Sequence, residues 1–242
     1  MAASDYGYYR SDGIQSSGTA LRSDGNAYIF NQAGQIYPRQ VVESVSFNTG
    51  SWGGFTCTTL NEVGGWKSGK ARQGYYYQTG NTYQWAYGVT KQKKGHFFFN
   101  NGKPNITSVS QGTVISWRIS YAKITLNRTI QTGNWQRIVT GVLRLSNYSY
   151  EGQGSFSDCV VSQESCSFDW QPYGEWTVIE DWGNGSLCSL LTRFFVNNDF
   201  QSLCLYNGED SNDTYAGFKC STNYAGGDEF YLEMTVERTI QL

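Results

Sequence analysis

Gly112-Thr-Val-Ile-Ser-Trp-Arg-Ile-Ser-Tyr-Ala-Lys-Ile-Thr-Leu-Asn-Arg-Thr-Ile130, continued after Gln131-Thr-Gly-Asn-Trp-Gln-Arg137 by Ile138-Val-Thr-Gly-Val-Leu-Arg-Leu145, decides the fold. In its first arm Ile115, Trp117, Ile119 and Tyr121 alternate with Ser116, Arg118 and Ser120, the period-two pattern of a half-buried strand. The apolar set then moves from odd to even positions, to Ile124 and Leu126. A change of face inside one run is what a bulge near Ala122 and Lys123 produces, and bulges bend strands where a sheet wraps. Val139, Gly141, Leu143 and Leu145 repeat the alternation in the second arm. Two long central strands, joined through Gln131 to Asn134, therefore form the spine of an all-β domain.

Working outward, the chain has 242 residues, enough to bury a full core in one antiparallel β-sandwich domain. The organisation expected is an N-terminal arm over residues 1–25 and a sandwich over 26–242. Aromatics at 16% with 28 Gly and 3 Pro give short extended segments broken by glycine turns. Charged residues are also 16%, well under the roughly 25% of ordinary soluble chains, so Ser, Thr, Asn, Gln and Tyr must make most of the surface. The net charge of -2 excludes an electrostatic nucleic-acid binder, which needs a strong positive excess. No stretch is long and apolar enough to span a bilayer, and Met1-Ala-Ala-Ser-Asp-Tyr lacks the basic start and apolar core of a signal peptide. The expectation is a cytoplasmic protein, with secretion as the alternative.

The opening arm carries Tyr6, Tyr8 and Tyr9 before Arg10-Ser-Asp-Gly13, a tetrapeptide that recurs at Arg22-Ser-Asp-Gly25. Asp-Gly is a turn signal, and the arm reads either as two similar turns or as a clasp on a neighbouring molecule. Tyr28 to Tyr37 reads as a hairpin, and Val41, Glu43, Val45 and Phe47 as another strand. Between residues 50 and 95, Trp52, Trp66, Tyr75, Tyr76, Tyr77, Tyr83, Trp85 and Tyr87 are interleaved with lysines. That pattern suits a strand with one buried face, a sugar platform or a protein contact surface. His96-Phe-Phe-Phe99 is a buried strand stopped at Asn100 to Pro104. Leu187, Leu190, Leu191, Phe194 and Phe195 have helical spacing and predict the one helix. Phe230, Leu232, Met234 and Val236 make the cleanest strand in the chain.

Six cysteines at 57, 159, 166, 188, 204 and 220 leave two states open: three disulfides in a secreted protein, or six thiols inside a cell. Five Asn-x-Ser/Thr sequons say little, since roughly three arise by chance in so polar a chain. His96 is the only histidine, without a Ser-elbow or Cys-motif context, so neither a nucleophilic triad nor a zinc site is expected, and no cofactor is implied. Paired carboxylates have no spacing rule, and Glu175, Glu180, Asp181, Glu229 and Glu233 are the candidates for glycan chemistry.

Several stretches occur together in a fixed order: Ser23-Asp-Gly25 before a strand ending at Asn31, an aromatic run ending in Asn101-Gly102, Arg128-Thr-Ile130 after a strand, and Trp135 before Thr140-Gly-Val142. In this the chain resembles the cypovirus polyhedrins, the proteins of crystals that occlude insect viruses. The family's N-terminal helix has no counterpart in residues 1 to 25, and no nucleotide-binding residue is carried over. The resemblance implies a β-sandwich that forms a homotrimer, packs into a lattice in the cytoplasm of an infected host cell, and encloses virus particles. Composition is compatible with this, because a small net charge favours dense association. Near pH 10 the 18 tyrosines begin to ionise, so contacts built on phenols should open in alkali. The preferred assembly contacts are Tyr6, Tyr8, Tyr9, Tyr75, Tyr76 and Tyr77. The competing reading is a secreted lectin or glycan-active enzyme.

Overall fold

The computed structural model describes residues 18–21, 27–30, 36–38, 40–48, 55–61, 65–68, 70–77, 90–99, 102–131, 138–148, 155–207, 215–219 and 230–242. The fold is an all-β sandwich with a single helix among these residues. The first eight strands are β1 (Gly18–Leu21), β2 (Ala27–Phe30), β3 (Ile36–Pro38), β4 (Gln40–Asn48), β5 (Phe55–Asn61), β6 (Gly65–Ser68), β7 (Lys70–Tyr77) and β8 (Thr90–Phe99). There follow β9 (Thr113–Asn127), β10 (Ile130–Gln131), β11 (Val139–Ser146), β12 (Cys166–Trp170), β13 (Trp176–Trp182), α1 (Ser186–Val196), β14 (Ser202–Leu205), β15 (Tyr215–Lys219) and β16 (Phe230–Gln241).

The strands pair antiparallel. β1, β2 and β3 form a small sheet. The largest sheet runs β10-β15-β7-β8-β14-β11-β12, with β5 also pairing β8 and β6 pairing β5. The third runs β13-β9-β16-β4. The two long strands expected as a spine are thus each interior to a sheet, but to different sheets, so the turn after β9 carries the chain from one layer to the other. By contact density the chain divides into two compact units, Met1–Val45 with Asn105–Arg118 and Val236–Leu242, and Ser46–Pro104 with Ile119–Thr235.

In the second unit the layers meet through aromatic rings. Phe230 on β16 stands 5.0 Å from Phe55 on β5 and 4.6 Å from Phe97 on β8, at tilted or edge-on angles. Each such fully buried side chain contributes about 1.5–3 kcal/mol. β16 explains its own place: Phe230, Leu232, Met234, Val236 and Ile240 are buried and alternate with accessible residues, the period a strand with one dry face requires. The helix falls at the predicted spacing, with Leu187, Leu190, Leu191 and Phe194 buried and Phe194 stacked 5.9 Å from Phe99. Its N-cap, Gly185, has no side chain to cap with, and the Asp181 carboxylate substitutes, accepting from the Leu187 and Trp182 amides at 2.8 Å each. At the other end Lys103 Nζ donates to the Phe194 and Asn197 carbonyls.

Within the first unit, the inward phase of β16 reaches Arg238, a cation at a core position. It is tolerated because Nη1 lies 3.2 Å from Glu43 Oε1 and donates to the Ser108 carbonyl at 2.8 Å.

The face change foreseen in β9 occurs slightly early. Ile119 is buried, and then Ala122, Ile124 and Leu126. Before the switch the alternation does not bury what the pattern suggested: Ile115 is 46% exposed. Full burial in β9 begins where the chain segments of the two units meet, Arg118 ending one and Ile119 beginning the other.

Candidate functional site

Among the described residues β13 is an edge strand, and its register with β9 sets Trp176 opposite Asn127, Val178 opposite Thr125, Glu180 opposite Lys123 and Trp182 opposite Tyr121. Thr177 and Ile179 are buried, so the alternate residues Trp176, Val178, Glu180 and Trp182 all face outward. Trp182 is 63% exposed, Val178 54% and Trp176 47%, and Tyr231 on β16 is also exposed. Scattered exposed apolar residues are ordinary, but several on one short edge strand make it the candidate contact surface of the described residues.

Polar groups are set into this face. The Tyr121 phenol donates to Glu180 Oε1 at 2.8 Å, and Glu233 Oε1 lies 3.4 Å from the same oxygen. Lys123 Nζ is 3.3 Å from Glu233, and the Tyr121 ring centre is 5.7 Å from that of Trp182. Desolvation first, then the hydrogen bond to Glu180 and the charges of Glu180 and Glu233, push the Tyr121 phenol well above the ordinary tyrosine range. One neutral phenol therefore holds two carboxylates together, an arrangement that ionisation would reverse.

Of the five acidic candidates, this brings Glu180 and Glu233 together. Asp181 caps the helix, Glu175 is exposed just ahead of β13, and Glu229 lies outside the described residues. Tyr6, Tyr8 and Tyr9 also lie outside them. Tyr75, Tyr76 and Tyr77 pair through their backbones with Gln92, Lys91 and Thr90 on β8, and their side chains are outside the described set. The Tyr121, Glu180 and Glu233 cluster was invisible to sequence reasoning because its members are separated by dozens of residues. The signal that could have found it is Trp176 and Trp182 bracketing an otherwise alternating strand.

A second cluster lies beneath the segment that follows β11. His96 Nε2 is 3.2 Å from Ser146 Oγ and 3.1 Å from Cys159 Sγ, which are themselves 3.1 Å apart. Lys94 Nζ donates to the Phe156 and Cys159 carbonyls at 2.9 Å and sits 4.0 Å above the Phe156 ring. The trio resembles a nucleophile with its base, yet its electrostatics oppose that use. Burial, with help from the Lys94 charge, lowers the His96 pKa to about 3, and burial raises the Cys159 thiol. A cysteine nucleophile needs a thiolate beside an imidazolium, and here both groups are held neutral. Lys94 and His96 instead pin the Phe156 to Cys159 segment to the sheet.

The cysteines match neither extreme left open by the sequence. Cys57 is disulfide-bonded, while Cys159, Cys166, Cys188 and Cys204 are free and buried. Burial is the leading cause that raises the pKa of all four thiols, Cys188 to about 11. Alkylation at pH 7.5 is therefore expected to label none of the four in the native protein and all four in denaturant, with intact-mass analysis as the readout. Rapid native labelling of Cys159 would show that the cover over it opens and would revive the nucleophile. Among the described residues no three His, Cys, Asp or Glu side chains are arranged to hold a metal ion.

In the first unit, an open groove of about 530 Å³ is lined by Val42, Ser116, Trp117, Arg118, Glu237 and Thr239. Beside the Ser116 and Thr239 hydroxyls its polar groups are the Arg118 and Glu237 ion pair at the surface, a contact of little energetic weight. Against known proteins, no family model and no curated protein matches the chain.

Proposed function

We propose that this chain is a structural protein that assembles with copies of itself, forming an intracellular occlusion body of the polyhedrin kind that encloses virions and opens in strong alkali. The observation that carries the reading is the outward face of β13 and β9, where Trp176, Val178 and Trp182 surround a phenol shared by two carboxylates. Its apolar area favours burial against another surface near neutral pH. Phenol ionisation would set three negative charges side by side in that contact. Low net charge removes the general repulsion that keeps chains apart. A homotrimer as the building unit follows from the resemblance alone.

The test is expression of the chain in insect cells with microscopy and a pH series on any particles recovered. Dense bodies that persist at pH 7 and dissolve only in alkali well above about pH 10 are expected, because the contact's phenol ionises above the ordinary tyrosine range. A chain that stays dissolved and monomeric at millimolar concentration sinks the reading.

One observation favours a second reading. The Tyr121 and Trp182 rings beside Glu180, Glu233 and Lys123 offer a stacking surface with polar groups at its edge, the make-up of a shallow sugar site. Binding on a glycan array that is lost in Trp182→Ala, in a chain that does not self-associate, would select it.

A further inference from the structure

We propose that β13 is a self-pairing edge whose occupant is β13 of a second copy of this chain, antiparallel to it about a two-fold axis through Val178. The proposal rests on the self-assembly reading and names its contact.

Main-chain directions on β13 follow from two hydrogen bonds at its ends. Arg128 N–H donates to the Glu175 carbonyl, and Gly183 N–H donates to the Ser120 carbonyl. Both couples continue the register of β13 with β9. In an antiparallel ladder, residues that exchange hydrogen bonds recur every second position. Positions 177, 179 and 181 therefore turn their main-chain groups toward β9, and 176, 178, 180 and 182 turn theirs off the sheet. Trp182 is satisfied locally: its N–H donates to the Asp181 carboxylate, and its carbonyl accepts from Gly185. Trp176, Val178 and Glu180 have no main-chain partner on the open side among the described residues.

Three donors and three acceptors spaced two residues apart form a row that is complementary to itself. A two-fold through Val178 sets Val178 against Val178 of the copy and Trp176 against Glu180 of the copy, about six main-chain hydrogen bonds in all. Sliding the copy one way brings in Trp182, and sliding it the other way brings in Gly174, whose N–H already donates to the Arg128 carbonyl. The open row thus selects one register.

The side chains agree with it. Glu180 of each copy faces a tryptophan rather than another carboxylate, and the two valines meet on the axis. Trp176 of the copy then lies over the Glu180 carboxylate that accepts the Tyr121 hydrogen bond, so the pairing buries the phenol bridge. A two-fold contact is compatible with a trimer, since two-fold and three-fold axes together build closed or extended lattices.

Val178→Pro tests the register. It removes an N–H that points away from β9, so the sheet keeps its own ladder and the edge loses its central bonds. Val178→Lys is the second variant, placing like charges on the axis. Sedimentation equilibrium on the full chain is expected to show at least about tenfold weaker association for both variants with circular dichroism unchanged. Hydrogen exchange is expected to show concentration-dependent protection of the Trp176, Val178 and Glu180 amides in the parent, and none in a folded variant. Association unchanged in folded Val178→Lys, or exchange at these amides that ignores concentration, overturns the pairing while leaving self-assembly through another surface intact. A parent chain that is monomeric throughout overturns both.

Discussion

Gly141→Val is expected to be the most damaging single substitution in the described core, lowering stability by roughly 3 kcal/mol or more through overpacking. On β11 this glycine is paired with Phe168, and the space a Cβ would take is occupied by the Phe168 ring and the Trp170 indole. Phe168 is only half-buried, but Trp170 has no easy retreat. They lie 5.4 Å from each other, Trp170 is completely buried, and β11 is held between β12 and β14. A chain of this size loses about 2–4 °C in Tm per kcal/mol, so a fall of roughly 6–12 °C is expected by calorimetry, with a change in tryptophan emission. The informative contrast is Gly174→Ala. Gly174 has φ of +83° with open space around it, so its substitution strains the backbone and displaces nothing, for a loss nearer 1 kcal/mol. Equal losses at the two positions would show that the rings do not depend on the missing side chain.

Tyr121→Phe is expected to reshape the alkaline limb of the stability curve. The folded protein raises the Tyr121 pKa above that of the unfolded chain, so the stabilisation is fully present below about pH 10, the unfolded value. As pH climbs from there through the raised folded value, the unfolded state ionises first and the contribution is lost. Wild type should therefore exceed Tyr121→Phe by roughly 2–4 °C in Tm at pH 8, the worth of one hydrogen bond to a carboxylate on an accessible face. The two curves should converge toward pH 12. A difference that stays constant from pH 8 to 12 would show that the phenol acts by packing alone and would remove the charge switch from the proposed assembly.

The elements most legible in the sequence were those with an uninterrupted period. β16 and α1 carry clean spacings of two and 3.6, and each formed where its pattern lay. β9 was legible in outline, including its change of face, because parity of the apolar residues is a local property. What parity cannot give is which strand lies alongside, and so the sheet that β9 shares with β13 and β16 was not foreseen, nor its separation from β11. The same limit hid the outward face. Trp176 and Val178 look like core residues in a linear reading, because apolar character suggests burial. Only the register places them on the wet side, with Thr177 and Ile179 occupying the dry one. Glu180 and Glu233 were singled out as carboxylates, but the phenol that joins them comes from a third strand. The thiol, imidazole and hydroxyl of Cys159, His96 and Ser146 likewise converge through tertiary packing across sequence gaps of 13 to 63 residues.

Asp181 has a consequence beyond capping. Its two oxygens hold the amide at the tip of β13 and the first-turn amide of α1 at the same time. A twist imposed on the strand tip by any visitor must move that carboxylate, loosening or tightening the opening turn of the helix. Fraying of Leu187 and Cys188 would then serve as a built-in reporter, legible in solution without any probe placed on the occupied surface.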